Sequence, residues 1–497
     1  MTAHKVDRAL HRRFAAEYLP EMSILIGEES IPKGTDGEHA HVNAATGRVQ
    51  AAVPLAGADQ VERAVEAARK AYPAWRAWRP DERRNALLRL GALIRGRAAE
   101  IARLLTLECG TPVSGAAAMP GRAADYVEYY AGLADKTEGR VVPIFPERAF
   151  DYTVPEPYGV IGVISTWNGG ISSVARKAGA ALAAGNTVVV KPMELAPFST
   201  LVFGQLALEA GIPPGVVNVV PGGATAGEAL VAHPGVDKIS FTGGADAARK
   251  ILVGAARNIT PVVLELGGKS GNIVFPDADL DAAGLFAGAA CMRNTGQGCV
   301  MPTRLIVHAD IHEQIVERAV RAVQAMPIGD PLDERTLIGP VVSAAHADRI
   351  TGMIAQAADG RSGNLLLGGA RAGEPLAEGH FVEPTILDRV PPDAPIAQEE
   401  VFGPVLSVMA FSDEDEAVAL ANGTRYGLAG YVHTRDLQRA HRVAAALDAG
   451  YVSLNGFAAL PASAPFGGFG LSGYGKEGGR EGLGEFLRSK NVYLPLA

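Results

Sequence analysis

The chain has 497 residues, of which 48% are hydrophobic and 20% charged, and its formal net charge is −8. That length predicts about three domains with ample cores, and the acidic balance, without a Lys/Arg run, argues against a nucleic-acid surface. Three cysteines, with no C-x-x-C and no Cys/His pair at ligand spacing, exclude a disulfide framework and argue against a bound metal.

The opening stretch, MTAHKVDRALHRRFAAEYLP, is charged throughout and lacks the apolar core of a secretory signal. Residues 60–108 predict two helices. DQVERAVEAARKAYPAW and DERRNALLRLGALIRGRAAEIARLLTLE carry apolar residues at three- and four-residue spacing, and CGTP ends the second. From residue 159 the pattern changes. Short β-branched runs (GVIGVIST, NTVVVK, VVNVV, DKISFT, PVVLEL) alternate with Ala/Leu-rich helical segments. Such βα repeats predict an α/β fold with a doubly wound, Rossmann-like parallel sheet. The most apolar stretch, AGAALAAGNTVVV, is broken by Gly185 and Asn186 and is too short to span a bilayer, so a cytoplasmic protein is expected.

A second α/β series follows: GNIVF, the helix DLDAAGLFAGAACMRN, TRLIVH, the helix DIHEQIVERAVRAVQAM and VLSVMAF. PFGGFGLSGYGKEGG reads as a long loop and NVYLPLA as a terminal strand. Two motif matches fail on context. GFGLSG satisfies G-x-G-x-x-G but follows an aromatic loop rather than a strand, and GGKS lacks the first P-loop glycine, since Val263 stands there.

Chemistry-bearing residues cluster just past predicted strand ends, where ligands bind in open α/β sheets. Trp167 and Asn168 follow the first run, Lys191 and Glu194 the second, Gly222 the third, Gly243 and Gly244 the fourth, and Glu265 closes the fifth. Cys299, in RNTGQGCV, stands behind two glycines, which lets backbone and thiol approach a ligand.

Taken in order, VNAATG, ERAVEAARKAYPAW, ELGGKS, NTGQGC, EEVFGPV, NGTRYGLAG and APFGGFGLSGYGKEGG resemble the aldehyde dehydrogenase superfamily over nearly the whole chain. The resemblance implies an aldehyde dehydrogenase fold: a cofactor-binding domain from 1–134 and 154–265, a catalytic domain from 266–467, and a small β oligomerisation arm from 135–153 and 482–497. It implies a homodimer or homotetramer, and oxidation of an aldehyde to an acid. Cys299 would be the nucleophile. A thiol near its free pKa is only a few per cent thiolate at neutral pH but is intrinsically very nucleophilic. Asn168 and the Cys299 N–H would stabilise the oxyanion of the thiohemiacetal. Glu265 would activate the water that hydrolyses the thioester. Lys177 and Glu477 occupy family positions associated with proton movement, and structural ion pairs are an equal reading of them. Cys109 and Cys291, in helical segments, are expected to be inert.

By the same resemblance the cofactor is NAD, with NADP the less favoured alternative. Lys191 and Glu194 would hold the adenosine ribose, Glu400 the nicotinamide ribose, and Phe402 would pack beside the nicotinamide. The Gly243–Gly244 turn would face the phosphates, and Gly222, Ile164, Trp167 and Leu266 would complete the cofactor site. A carboxylate at Glu194 accepts from a free 2′-hydroxyl and repels a 2′-phosphate. Gly244 replaces a common serine, which removes a hydroxyl contact to phosphate.

The substrate end departs from the usual pattern. Gly169 stands where a bulky aromatic is common. Arg176 and Arg293 match succinate-semialdehyde dehydrogenases, where they bind the substrate carboxylate, and a looser correspondence points Arg122 toward the same tunnel. Carboxylate pairs bidentately with Arg, so a carboxylate-bearing semialdehyde is expected. Leu460 and Phe466 instead offer an apolar mouth suited to uncharged aliphatic or aromatic aldehydes. Structural pairing of the arginines with acidic side chains is the competing account of both. Glu265 argues against a coenzyme-A-acylating enzyme, and the joint presence of Cys299, Glu265 and Asn168 argues against a non-catalytic homologue.

Overall fold

The computed structural model describes residues 2–146, 148–358, 362–457 and 459–496. Among these, three sheets organise the chain.

The first sheet has eight strands. Its centre is five parallel strands in the spatial order Val262–Glu265, Lys238–Thr242, Val160–Ile164, Thr187–Lys191 and Val217–Val219. Successive side chains point to opposite faces, so Ile161, Val163, Val188 and Val190 pack against helices Pro80–Gly96, Met119–Leu133, Gly170–Ala183 and Phe198–Glu209. Val160, Ile164, Val189 and Ile239 face the opposite layer, helices Ala58–Ala77, Ala224–Ala232 and Ala245–Ala256. Burial on both faces explains why these strands read as continuous apolar runs.

Two readings of this region are corrected. The helix expected over 81–108 is two helices, Pro80–Gly96 and Ala98–Cys109, broken at Arg97, whose φ/ψ of −106°/17° leave the helical well. Gly96 lowers the cost of the break, because glycine is a poor helix former. The long glycine-rich loop also is not wholly irregular. Gly473–Tyr474 pairs antiparallel with Leu264 and Glu265 and edges the first sheet, and Phe469–Gly470 pairs with Tyr426–Gly427. The hairpin Ile24–Ile26 and Glu29–Ile31 closes the other edge.

The second sheet has seven strands, parallel except for the edge strand Asn364–Leu367. One face packs on helices Leu280–Met292 and His312–Gln324. Cys291, fully buried there, behaves as a small hydrophobe. The third sheet joins Val141–Val142, Ala149–Pro157 and Leu487–Pro495, the last two paired over nine residues. It exposes Val141, Phe150, Tyr493 and Leu494.

The segment after Glu265 leaves the carboxyl end of a first-sheet strand and enters Gly271–Val274 of the second sheet at its amino end. The loops carrying Cys299 and Glu400 likewise precede the amino ends of second-sheet strands Arg304–His308 and Val405–Phe411. The functional residues therefore meet between two sheets, at opposite strand ends.

Candidate active site

Register sets the first wall of the site. Ile164 lies opposite Lys191 and Phe241, and Thr242 lies opposite Glu265. The strand-end residues Ile164, Lys191 and Glu265 thus stand side by side, all buried. Leu266 continues this wall, its N–H bonded to Ser472 O at 3.1 Å.

The Cys299 loop forms the facing wall. Asn294, Thr295 and Gly296 all have positive φ (50°, 56° and 70°). For the first two this left-handed backbone is costly, so the surroundings must hold it. Thr295 Oγ donates to Gly339 O and accepts from Gly339 N, each at 3.1 Å, and Val342 N donates to Gln297 Oε1 at 2.9 Å. A Cβ on Gly296 would run into the Gly403 carbonyl, which locks this loop to the segment carrying Glu400 and Phe402. Asn168 Nδ2 and Asn294 Nδ2 both donate to Gln297 O, at 3.2 and 3.1 Å. The amide of Asn168 is thereby brought to the residue two before Cys299.

Cys299 remains partly exposed, and the Glu265 carboxyl is the neighbouring charge that acts most strongly on its thiol. Desolvation and the neighbouring Glu265 charge push the thiol well above its ordinary value. The resting sulfur is thus more fully protonated than a thiol near its free value, which is already mostly in that form. Glu265 is 2% exposed and its Oε1 has no hydrogen-bond partner. Burial, with Glu477 reinforcing it, raises its carboxyl to about 7, against the pull of Arg176 and Lys177. A carboxyl balanced near neutral pH beside a protonated thiol can take the proton from sulfur.

Behind this pair lies a buried charge cluster. Glu477 is ion-paired to Lys177 Nζ and to Arg176, where Nε and Oε2 are 2.5 Å apart. The two cations outweigh burial and hold Glu477 ionised, below its ordinary value. Burial works against the Arg176 charge, but Glu477, Tyr126, Glu265 and Cys299 together keep it firmly protonated. Its guanidinium lies 5.2 Å from the Phe466 ring centre and 5.8 Å from that of Tyr126. Phe466 is 2% exposed, so it is not at a mouth as expected; one face of its ring carries Arg176. Leu460 is half-buried at φ 46°, and its carbonyl accepts from Tyr126 Oη at 3.2 Å. Arg293 is exposed and stacks 4.6 Å from the Phe457 ring centre, with no acidic partner among the described residues. Arg122 is exposed one helical turn before Tyr126, on the same face. Gly169 precedes the Gly170–Ala183 helix, where a Cβ would meet the Ser173 side chain.

The residues expected to hold the cofactor stand at strand ends and turns around this pair. Gly244 caps the Ala245–Ala256 helix without a side-chain hydrogen bond and with open space where a Cβ would be. A Cβ on Gly243 would strike the Phe241 ring, and one on Gly222 would strike Ala226. Thr242 Oγ and Trp167 Nε1 are buried without partners. Orphaned donors beside an open helix amino end fit a phosphate-bearing ligand. Burial depresses the Lys191 ammonium, with Glu194, half-buried, opposing. Glu400 accepts from Gly268 N at 2.9 Å, and burial raises it to about 7. Phe402, at φ 53°, sets its ring edge-on to Trp167 at 5.5 Å.

Sequence reading missed several residues here. His346 donates to Phe402 O (Nε2···O 2.8 Å) and packs on Trp167. Tyr431 Oη donates to Val300 O at 2.7 Å, next to the nucleophile candidate. Ser472 Oγ donates to Gly267 O at 2.7 Å and accepts from Gly427 N at 3.1 Å. Each acts through a contact distant in sequence, and no local spacing marks it.

The model of the aldehyde dehydrogenase family matches residues 32–492. The chain belongs to this family. It is an aldehyde dehydrogenase by fold and enzyme class. Solved relatives have the same shape. Gamma-glutamyl-gamma-aminobutyraldehyde dehydrogenase from Burkholderia cenocepacia J2315 is 40% identical, with 98% of this chain and 99% of that one covered at TM-score 0.94. PnpE from Pseudomonas sp. WBC-3 is 39% identical, with 96% and 98% covered at TM-score 0.93, and a PnpE solved in complex with nicotinamide adenine dinucleotide matches equally. An NADP dependent enzyme of E. coli is 37% identical, with 97% and 99% covered at TM-score 0.93. No described helix is long and apolar enough to cross a membrane.

Proposed function

We propose that this aldehyde dehydrogenase oxidises a carboxylate-bearing aldehyde with NAD, through a covalent intermediate on Cys299. The observation that supports the reading is the buried Glu265 carboxyl, raised to about 7 and near enough to Cys299 to act on its thiol, with the Asn168 amide held at Gln297 O two residues before that sulfur. Glu265 takes the thiol proton as sulfur attacks the aldehyde carbon, giving a tetrahedral thiohemiacetal. Asn168 Nδ2, turning from Gln297 O, and the Cys299 N–H would donate to the oxyanion. NAD, when bound in the cleft, supplies the hydride acceptor. Glu265 then removes a proton from the water that attacks the thioester, releasing the acid and the thiolate. Lys177 and Glu477 lie where the proton can pass onward from Glu265.

For the cofactor, Lys191 and Glu194 would hold the adenosine ribose, Glu400 the nicotinamide ribose and Phe402 the ring, with Ile164, Leu266 and the Gly222, Gly243 and Gly244 turns around them. Relatives include both an NAD complex and an NADP enzyme, so Glu194 supports the choice by repelling a 2′-phosphate. Wild-type enzyme is expected to prefer NAD by about tenfold or more in kcat/KM, and Glu194→Ser to narrow that ratio through better use of NADP. An unchanged ratio would remove Glu194 from this role.

For the substrate, Arg176 and Lys177 set two cations against the Glu477 carboxylate, which supports an anionic group near Arg176. Arg176 approaches Glu477 without directional hydrogen bonding, so donors remain for a ligand, and Arg293 stands unpaired on Phe457. Arg122, Gly169 and Leu460 would complete the wall. The second reading, an uncharged aldehyde, is favoured by Glu477 already occupying Arg176. Arg293→Ala should raise KM for succinic semialdehyde about tenfold or more, the scale of a lost charge-assisted hydrogen bond, and leave KM for butyraldehyde nearly unchanged. Equal shifts for both aldehydes would favour the uncharged reading. The exposed residues of the third sheet, Phe150, Tyr493 and Leu494, with its open edges, support a homodimer or homotetramer.

A further inference from the structure

The Ala98–Cys109 helix ends away from the reacting atoms, yet its last residues and the turn after it touch three separate loops of the site. We infer that Glu108, Cys109 and Thr111 are positioning residues: one short segment braces the cofactor loop, the oxyanion loop and the nucleophile loop together. This inference rests on the roles given above to Glu194, Asn168 and Cys299.

The first contact is to the cofactor loop. Glu108 is 1% exposed, and its Oε1 accepts from Ser199 N at 3.0 Å in the first turn of helix Phe198–Glu209. That helix has no side-chain cap of its own, so Glu108 serves from outside. His41, joined to the same helix end through Gln50, which donates to Leu107 O at 2.7 Å, bonds Leu195 O at 3.0 Å. The stretch from Lys191 through Glu194 is thus held just beyond its carboxyl end.

The second contact is to the oxyanion loop. Cys109 Sγ donates to Trp167 O at 3.3 Å, one residue before Asn168. Cys109 is 4% exposed, so this thiol is a fixed donor rather than a reactive group. The third contact is to the nucleophile loop. Thr111 Oγ donates to Asn294 Oδ1 at 3.0 Å, and Asn294 Nδ2 in turn donates to Gln297 O. Asn294 is the first of the three left-handed residues, so Thr111 anchors the start of the strained turn that aims Cys299.

The turn itself is fixed. Gly110, at φ 75°, closes the helix by donating to Thr106 O at 2.9 Å, and a Cβ there would collide with Pro340. Gly339, the partner of Thr295, packs so closely on Gly110 O that it too has no room for a side chain. Second-layer hydrogen bonds of this kind orient reacting groups without touching them.

If the three contacts brace three different loops, removing them one at a time changes different kinetic constants. Thr111→Val should lower kcat and the iodoacetamide alkylation rate of Cys299 about tenfold each, the equivalent of one net hydrogen bond, with KM for NAD within about twofold. Thr111→Ser, which keeps the donor, should restore both. Glu108→Met should raise KM for NAD about tenfold and leave the alkylation rate within about twofold. Variants that each impair kcat, alkylation rate and KM for NAD in parallel, or Thr111→Ser failing to rescue, would overturn the brace. If methionine at 108 prevents folding, the Thr111 pair alone decides. A wild-type enzyme that reduces no NAD with any aldehyde would instead count against the functional reading.

Discussion

Cys299→Ala is expected to lower kcat by on the order of a millionfold, the scale of losing a covalent nucleophile from a coupled set. The expectation follows from the position of the sulfur. Cys299 alone of the three cysteines is partly exposed, while Cys109 and Cys291 are buried and committed to packing and carbonyl contacts. Neither could substitute for it. NADH absorbance with a panel of aldehydes measures the loss, and binding of NAD should persist, since no cofactor contact is removed. A variant retaining even a tenth of wild-type turnover would mean that the reaction does not pass through this sulfur.

Glu265→Gln is expected to lower kcat by about a thousandfold, the middle of the range for removing a general base. The thiol is held protonated by burial and by Glu265 itself, so the base is needed twice, for attack and for hydrolysis. The pH dependence follows with a definite sign. Glu265 must be ionised to accept a proton, and its carboxyl is raised to about 7. The wild-type rate should therefore climb as pH rises through about 7 and level off above it. In Glu265→Gln this step should vanish from the residual activity. A variant that keeps the step would assign it to another group, and Glu400, also raised to about 7, is the first to examine.

Much of this site was legible because its parts are local. The β-branched runs mark parallel strands buried on both faces, and residues after a strand end fall into a crevice whatever the loop length. The loops carrying Asn168, Cys299 and Glu400 accordingly come together at these strand ends. What could not be read depends on packing between distant segments. Lys177 and Glu477 are 300 residues apart, and their pairing, with Arg176 added, becomes a fact only when the Gly170–Ala183 helix meets the turn after Tyr474. The acidity of the thiol is similarly a property of the assembled cavity, since the same Gly-Gln-Gly-Cys bend in water would leave it near its ordinary value. The break at Arg97 escaped because a regular apolar period runs through it, and only Gly96 hinted otherwise. The bracing segment was read as a helix end with an inert cysteine. The cysteine is unreactive by burial, but its sulfur is a donor to the oxyanion loop.

The two arginines illustrate how a family resemblance can suggest a ligand that structure then complicates. Arg176 is ion-paired and Arg293 has no acidic partner among the described residues, so the latter is the cleaner probe of substrate charge. A change at Arg176 would leave Glu477 less compensated inside the protein, where an unpaired charge is costly. It would also disturb Glu265 through the same cluster.

The account is tested most directly by intact-mass and peptide mass analysis of enzyme quenched in acid during turnover with an aldehyde and NAD. It predicts an added mass equal to the acyl group of the substrate, one per chain, on the peptide containing Cys299. Turnover with no acyl adduct, or with the adduct on Cys109 or Cys291, would contradict it.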